Sequence, residues 1–190
     1  SPAGDPGKEK NKSKAFLGKE HGGSAMQETR KEALTTYVIE NQEKFYRLAF
    51  SYVRDQQTAM DVVQDAVVKA LEHIADLREM AYLRTWFYRI LVNESLAHWN
   101  KMKREVLWEP EQMKTVLDTA QTMEEGGSEM YTAVMHLPPE MKTVVILRYY
   151  EDMTLQEIAQ VTGASLSKVK YRLYTGLKKL RGLYEKEVAR

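Results

Sequence analysis

The sequence predicts an all-α protein built as two small helical domains joined by a flexible linker. Three observations predict it. Apolar residues recur at three- and four-residue intervals over most of the chain. No glycine or proline interrupts residues 27–109. An acidic stretch at 105–128, broken by Pro110 and Gly126-Gly127, then separates two such helical regions.

The 190 residues suffice for one medium domain or two small ones. Hydrophobic residues make up 43% and charged residues 29%, the balance of a globular chain. No run of 18 apolar residues is present, so no membrane insertion is expected. Cysteine is absent, which excludes disulfides and thiolate metal sites and fits a reducing compartment. His21, His73, His98 and His136 are scattered without ligand spacing, so neither a metal nor any other cofactor is expected.

Residues 1–25 hold five glycines, two prolines and alternating charges, with only Phe16-Leu17 to offer a core. They read as disordered: an appended segment ahead of a start at Met26, or a native flexible arm. The long apolar stretch of a signal peptide is missing. The first domain is placed at 26–104. Its first helical stripe is Phe45, Leu48, Ala49, Tyr52 and Val53. After a break at Asp55-Gln56-Gln57 the second runs Met60, Val63, Val67, Ala70, Leu71 and Ile74. The third runs Leu83, Trp86, Phe87, Ile90, Leu91, Glu94 and Ala97. Three such stripes can close a helical bundle.

The linker at 105–128 is expected to hold at most a helical turn or two, and the second domain to span 129–190. Pro138-Pro139 marks a helix end and a new start. Thr154 and Glu157 stand in capping-box spacing. Ala159, Gly163 and Val169 then meet the needs of a helix-turn-helix: a small residue where helices cross, a glycine able to take positive φ, and a buried aliphatic lock. Ser165 is a fitting N-cap for the second helix. Leu166, Val169 and Leu173 face inward, which turns Ser167, Lys168, Lys170, Tyr171, Arg172 and Thr175 largely outward.

Charge supports the same assignment. The net charge is +1, but residues 131–190 carry +4, and 165–182 hold six basic and no acidic residues. A basic helix on a near-neutral chain points to one DNA-facing module. Lys and Arg on such a helix can reach guanine edges or phosphates in the major groove. A helical hairpin with a solvated basic face is the plainer alternative. No Ser/His/Asp grouping, glycine-rich phosphate loop or metal-spaced cluster suggests an enzyme.

The string from Leu137 to Ala159, continued by Gly163, Lys168-Val-Lys-Tyr-Arg-Leu173 and Lys178-Lys179-Leu180, resembles region 4 of extracytoplasmic-function (ECF) σ factors. These form the group 4 subfamily of bacterial σ70-type RNA polymerase σ factors. Phe45-Tyr46-Arg47-Leu48-Ala49, Ala59-Met60-Asp61-Val62-Val63-Gln64-Asp65 and Trp86-Phe87-Tyr88-Arg89-Ile90-Leu91-Val92-Asn93 resemble region 2 of the same family. The resemblance implies a non-enzymatic alternative σ factor, cytoplasmic, whose partners are core RNA polymerase and promoter DNA. Polymerase would be held at the β′ clamp coiled coil and the β flap.

The resemblance also assigns residues. Ser165, Ser167, Lys168, Lys170, Tyr171, Arg172, Thr175, Lys178 and Lys179 would contact the −35 element. Asn93, Ser95, His98, Trp99, Asn100, Lys101, Lys103 and Arg104 would serve the opened −10 strand, which needs base edges, a lined pocket and cations for phosphates. Ala97 stands where the family often carries an aspartate, a departure that bears on the base preferred at −10. Asp61, Gln64 and Asp65, at i, i+3 and i+4 on one helix face, would dock on polymerase through charge-assisted hydrogen bonds. A cognate anti-σ factor, often membrane-anchored, is implied as a further partner, and the acidic linker would thread towards the RNA exit path. Free protein should bind promoter DNA poorly, because polymerase sets the separation of the two modules. The rival readings are a stand-alone helix-turn-helix regulator and a protein that only sequesters a partner.

Overall fold

The computed structural model describes residues 11–106 and 129–189, with side chains from Gly23 onward. Helix α1 (Asn11–Val53) and α2 (Gln56–His73) are followed by two 3-10 turns, at Ile74–Asp76 and Met80–Tyr82, and by α3 (Leu83–Val106). The second unit holds α4 (Glu129–Met135), α5 (Pro139–Tyr149), α6 (Leu155–Thr162) and α7 (Leu166–Val188). The described residues contain no strand. The expected linker lies outside them from residue 107 to residue 128, as do residues 1–10 of the leading segment.

The expected disorder of residues 11–25 is corrected: they continue α1 through Gly18, Gly22 and Gly23. Each glycine costs about 1 kcal/mol relative to alanine. Extending a helix that already exists, however, avoids the cost of nucleating one. Residues 23–29 are exposed, and Leu34 is the first buried side chain. Arg30 anchors this arm by donating to the Leu77 carbonyl at 2.6 Å.

Between α1 and α2 the chain turns at Arg54, which takes φ 53°, and at Asp55, the N-cap. The Asp55 carboxylate accepts from the Thr58 amide at 2.8 Å and its hydroxyl at 2.7 Å. Those two bonds hold its carboxyl below the usual carboxylate range. The bundle core is aromatic at its centre. Phe45 lies 4.6 Å from Phe87 and 5.3 Å from Tyr88 between ring centroids, all three buried.

The buried face of α2 keeps Ala70 of the expected stripe, with Ile74 just beyond the helix, but is shifted by one residue in its first three turns. Ala59, Val62, Ala66 and Ala70 are buried, Val63 and Val67 only half so, and Met60 is 49% exposed. Alanines let α2 approach α1 and α3 closely, so the larger apolar side chains fall at the seam's edge. In the second unit Gly176 serves a similar need: a Cβ there would meet a Val145 methyl at 3.2 Å. The two units meet directly, α3 packing on α6 and the end of α1 touching α5 through Tyr52 with Thr143 and Lys142 with Ser51, and they share one continuous core.

Candidate nucleic-acid and polymerase interface

The helix-turn-helix forms as its local chemistry requires. Thr154 and Glu157 make the reciprocal capping box at the start of α6. Gly163 closes α6 in the left-handed region (φ 68°, ψ 12°), and its N–H reaches the Ala159 carbonyl at 2.9 Å. The Ser165 hydroxyl accepts from the Lys168 amide at 3.2 Å and so caps α7. Val169 is fully buried and Leu173 nearly so, which fixes α7 on α6. Gly163→Val should destabilise the fold by about 1–2 kcal/mol in urea titration, because a β-branched residue is strained at positive φ. Gly163→Asn, which tolerates that region, should cost less.

On α7, Ser167, Lys168, Lys170 and Tyr171 are exposed as expected, Lys178, Lys179 and the capping Ser165 are exposed with them, and Thr175 is half-buried. Arg172 differs. Its side chain is 12% exposed, and its guanidinium pairs with Glu140 of α5 at 2.7 Å. It therefore braces the recognition helix rather than standing free to reach a base. Tyr174, 65% exposed, lies among these cations and was not singled out by sequence. Its three- and four-residue spacing from Tyr171 and Lys178 was the available clue.

At the end of α3, Asn93, Asn100, Lys101, Lys103 and Arg104 are exposed. Ser95 is corrected: it is buried, and its hydroxyl donates to the Leu91 carbonyl at 2.7 Å. A serine bonded back one turn and turned to the core cannot offer that hydroxyl to DNA. Trp99 is half-buried against the core. His98 is half-buried, with Nε2 2.8 Å from the Asp65 carboxylate.

Asp61, Gln64 and Asp65 share the exposed face of α2, with Gln57 donating to Asp61 at 3.1 Å. The Asp65–His98 contact thus makes the expected polymerase face and the expected −10 face neighbours. It also brings Asp65, Glu94 and His98 together, with one ligand atom of each within 4.8 Å of the others. No sequence spacing foretold that group. Glu94 is already ion-paired with the Lys69 ammonium, and Asp65 is engaged by His98, so existing cationic and imidazole partners fill the cluster.

Comparison with known proteins identifies the family. Residues 37–105 match the family model for σ-70 region 2 and residues 128–180 that for σ-70 region 4. The RNA polymerase sigma factor SigV of Bacillus subtilis is 36% identical over 160 residues, covering 84% of this chain and 96% of that protein. The ECF RNA polymerase sigma factor SigW of the same organism is 24% identical over 153 residues, covering 73% and 82%. Among solved structures, the sigma factor RpoE in complex with the anti-sigma factor NepR from Bartonella quintana matches the fold. Its TM-score is 0.65 at 18% identity, over 81% of this chain and 98% of that one. The chain belongs to the extracytoplasmic-function group of bacterial σ70-type RNA polymerase σ factors, which are transcription initiation factors and not enzymes.

Proposed function

We propose that this σ factor docks on core RNA polymerase through Asp61, Gln64 and Asp65, and that the exposed basic face of α7 holds the −35 duplex. In this reading the end of α3, from Asn93 to Arg104 without Ser95, tracks the opened −10 strand. The second unit supplies further contact to polymerase at the β flap. The observation that carries the reading is the capped helix-turn-helix, with Ser165, Ser167, Lys168, Lys170 and Tyr171 all exposed at the start of α7. That is the part of such a helix that enters the major groove.

A cognate anti-σ factor is a fitting further partner, since the solved relative is bound to one. Among the described residues no helix is long and apolar enough to cross a membrane. In this reading the σ factor acts in the cytoplasm, and any hold at a membrane comes through that partner. A stand-alone regulator would not need the acidic face of α2.

The test is binding of promoter duplexes by the polymerase-bound protein. Lys168→Ala should weaken binding by about 1–3 kcal/mol if Lys168 reads a base, with relaxed discrimination at that position. If it holds a phosphate, the loss should instead be uniform across sequences, with the salt slope reduced by about one. No effect of Lys168→Ala or Lys170→Ala on any duplex would contradict the assignment.

A further inference from the structure

The expected polymerase face and the expected strand face belong to different helices, and the contact of Asp65 on α2 with His98 on α3 joins them. Two rungs cross between these helices one turn apart: Lys69 pairs with Glu94, and Asp65 with His98. Glu94 is buried, and one of its carboxylate oxygens lies within 4.8 Å of a His98 ring nitrogen. It would compete for the ring, but the Lys69 ammonium holds it. Asp65 is left as the acceptor for the imidazole.

That bond decides what the ring can offer. Nε2 stands 2.8 Å from Asp65 Oδ2, and a carboxylate only accepts, so Nε2 carries the hydrogen. In the neutral ring this leaves Nδ1 as a bare acceptor. A bare acceptor has nothing to give a phosphate, but it takes the exocyclic amino group of an unpaired base. The His98 side chain is 25% exposed, so its outer edge is open to such a group.

The surroundings fit that task. Asn93, Ala97, Asn100, Lys101 and Arg104 form one exposed stripe along α3, at i, i+4, i+7, i+8 and i+11. Ala97 puts only a methyl group in the middle of the stripe, with His98 at its border and Lys101 one turn on for a phosphate. Asp65 keeps capacity for a second partner. Oδ2 takes the ring, yet the side chain is 53% exposed, and a carboxylate has about four lone-pair sites.

We propose that Asp65 is a positioning residue for the −10 strand: by holding Nε2 it turns His98 so that Nδ1 accepts from the exocyclic amino group of an unpaired −10 base. This rests on the −10 reading of the end of α3, and the two can fail separately. One carboxylate then serves docking and base choice through different properties. Docking needs its charge, whereas positioning needs only an acceptor oxygen.

The test uses holoenzyme assembled from core polymerase and saturating protein, so that weakened docking does not alter the readout. Fluorescence anisotropy measures its affinity for single-stranded oligonucleotides carrying the −10 element that run-off transcription defines, with each of the four bases at each position. The quantity read is the ratio between bases. At the position read by His98 an amino-bearing base should be preferred, and an analogue without that amino group, such as purine for adenine, should bind about three- to tenfold more weakly. His98→Ala should abolish this preference, and Asp65→Ala, at an exposed position outside the core, should lower it about as far. The two together should cost no more than either alone. Asp65→Asn, whose amide oxygen still accepts from Nε2–H, should keep the preference while docking weakens as in Asp65→Ala.

A preference lost in His98→Ala but intact in Asp65→Ala would overturn the positioning role and leave the strand reading standing. Preferences intact at every position in His98→Ala would overturn the strand reading of that residue and the positioning role with it. Losses that add in full in the double variant would show Asp65 acting on the strand other than through the ring, and would overturn the role. So would an equal loss in Asp65→Asn and Asp65→Ala. An analogue lacking the amino group that binds as well as the preferred base would overturn the acceptor role of Nδ1.

Discussion

From about pH 7.5 to about pH 9.5 the protein should gain about 2–3 kcal/mol of stability in urea titration, and Lys142→Met should abolish that gain. Lys142 is 4% exposed, with its ammonium against the Ser51 carbonyl and 5.9 Å from the Tyr52 ring centroid. Burial, and secondarily the positive charge of Arg54, push it down to about 7. No carboxylate pairs with it among the ion pairs found.

In the unfolded chain the same group titrates near its ordinary value of 10.5. Between the two values the unfolded state binds more protons than the folded one, so stability rises with pH across that window and is flat below it. Methionine keeps the aliphatic stem in place and removes the proton. A slope persisting in Lys142→Met would assign it to another group. At higher pH the trend should reverse. Burial raises Tyr37 and Tyr131 to about 12 and moves Tyr52 and Tyr88 the same way, so unfolded phenols ionise first. The Asp55 cap adds stability present above the ordinary aspartate value, lost as pH falls through its lowered folded value.

The second large effect concerns polymerase. Asp61→Ala combined with Asp65→Ala should weaken binding to core polymerase by about 3 kcal/mol or more, roughly a hundredfold, measured by fluorescence anisotropy. Under the proposed docking, removing these exposed carboxylates would leave the basic groups they meet desolvated without a counter-charge. Binding of the isolated chain to a −35 duplex should not weaken, because neither residue touches the second unit's DNA face. Asp65→Ala also frees His98, so the pair should be compared with His98→Ala. If that variant alone reproduces the loss, the contact works through histidine and not through direct docking.

The legible parts of this protein were the local ones. The capping box at Thr154, the left-handed Gly163 and the Ser165 cap each depend on residues within four positions, so spacing alone identified them. The acidic face of α2 was legible for the same reason: three exposed residues on one helix need only a period. What failed depended on packing. Hydrophobicity favoured Met60 and Val67 over Ala59 and Ala66, yet close helix approach selects the alanines. Ser95 looked polar and outward, but its hydroxyl found an acceptor one turn back.

The contacts between the two units were illegible for a different reason. Arg54, Arg84 and Arg89 bind backbone carbonyls, and a carbonyl carries no residue-type signature. Nothing in the sequence marks Met135, Glu151 or Gln160 as acceptors until the helices end where they do. Arg172 combined both situations. Its spacing placed it on the recognition helix correctly, but only the fold shows Glu140 holding it.

The most direct test of the central claim is run-off transcription with purified bacterial core polymerase and a library of promoter fragments, with and without this protein. The account predicts protein-dependent transcripts from defined starts, whose templates align into shared −35 and −10 elements. Those transcripts should be lost with Asp61→Ala/Asp65→Ala. If core polymerase neither binds the protein nor gains any initiation, while the protein still retains specific duplexes alone, the account is contradicted in favour of a stand-alone regulator.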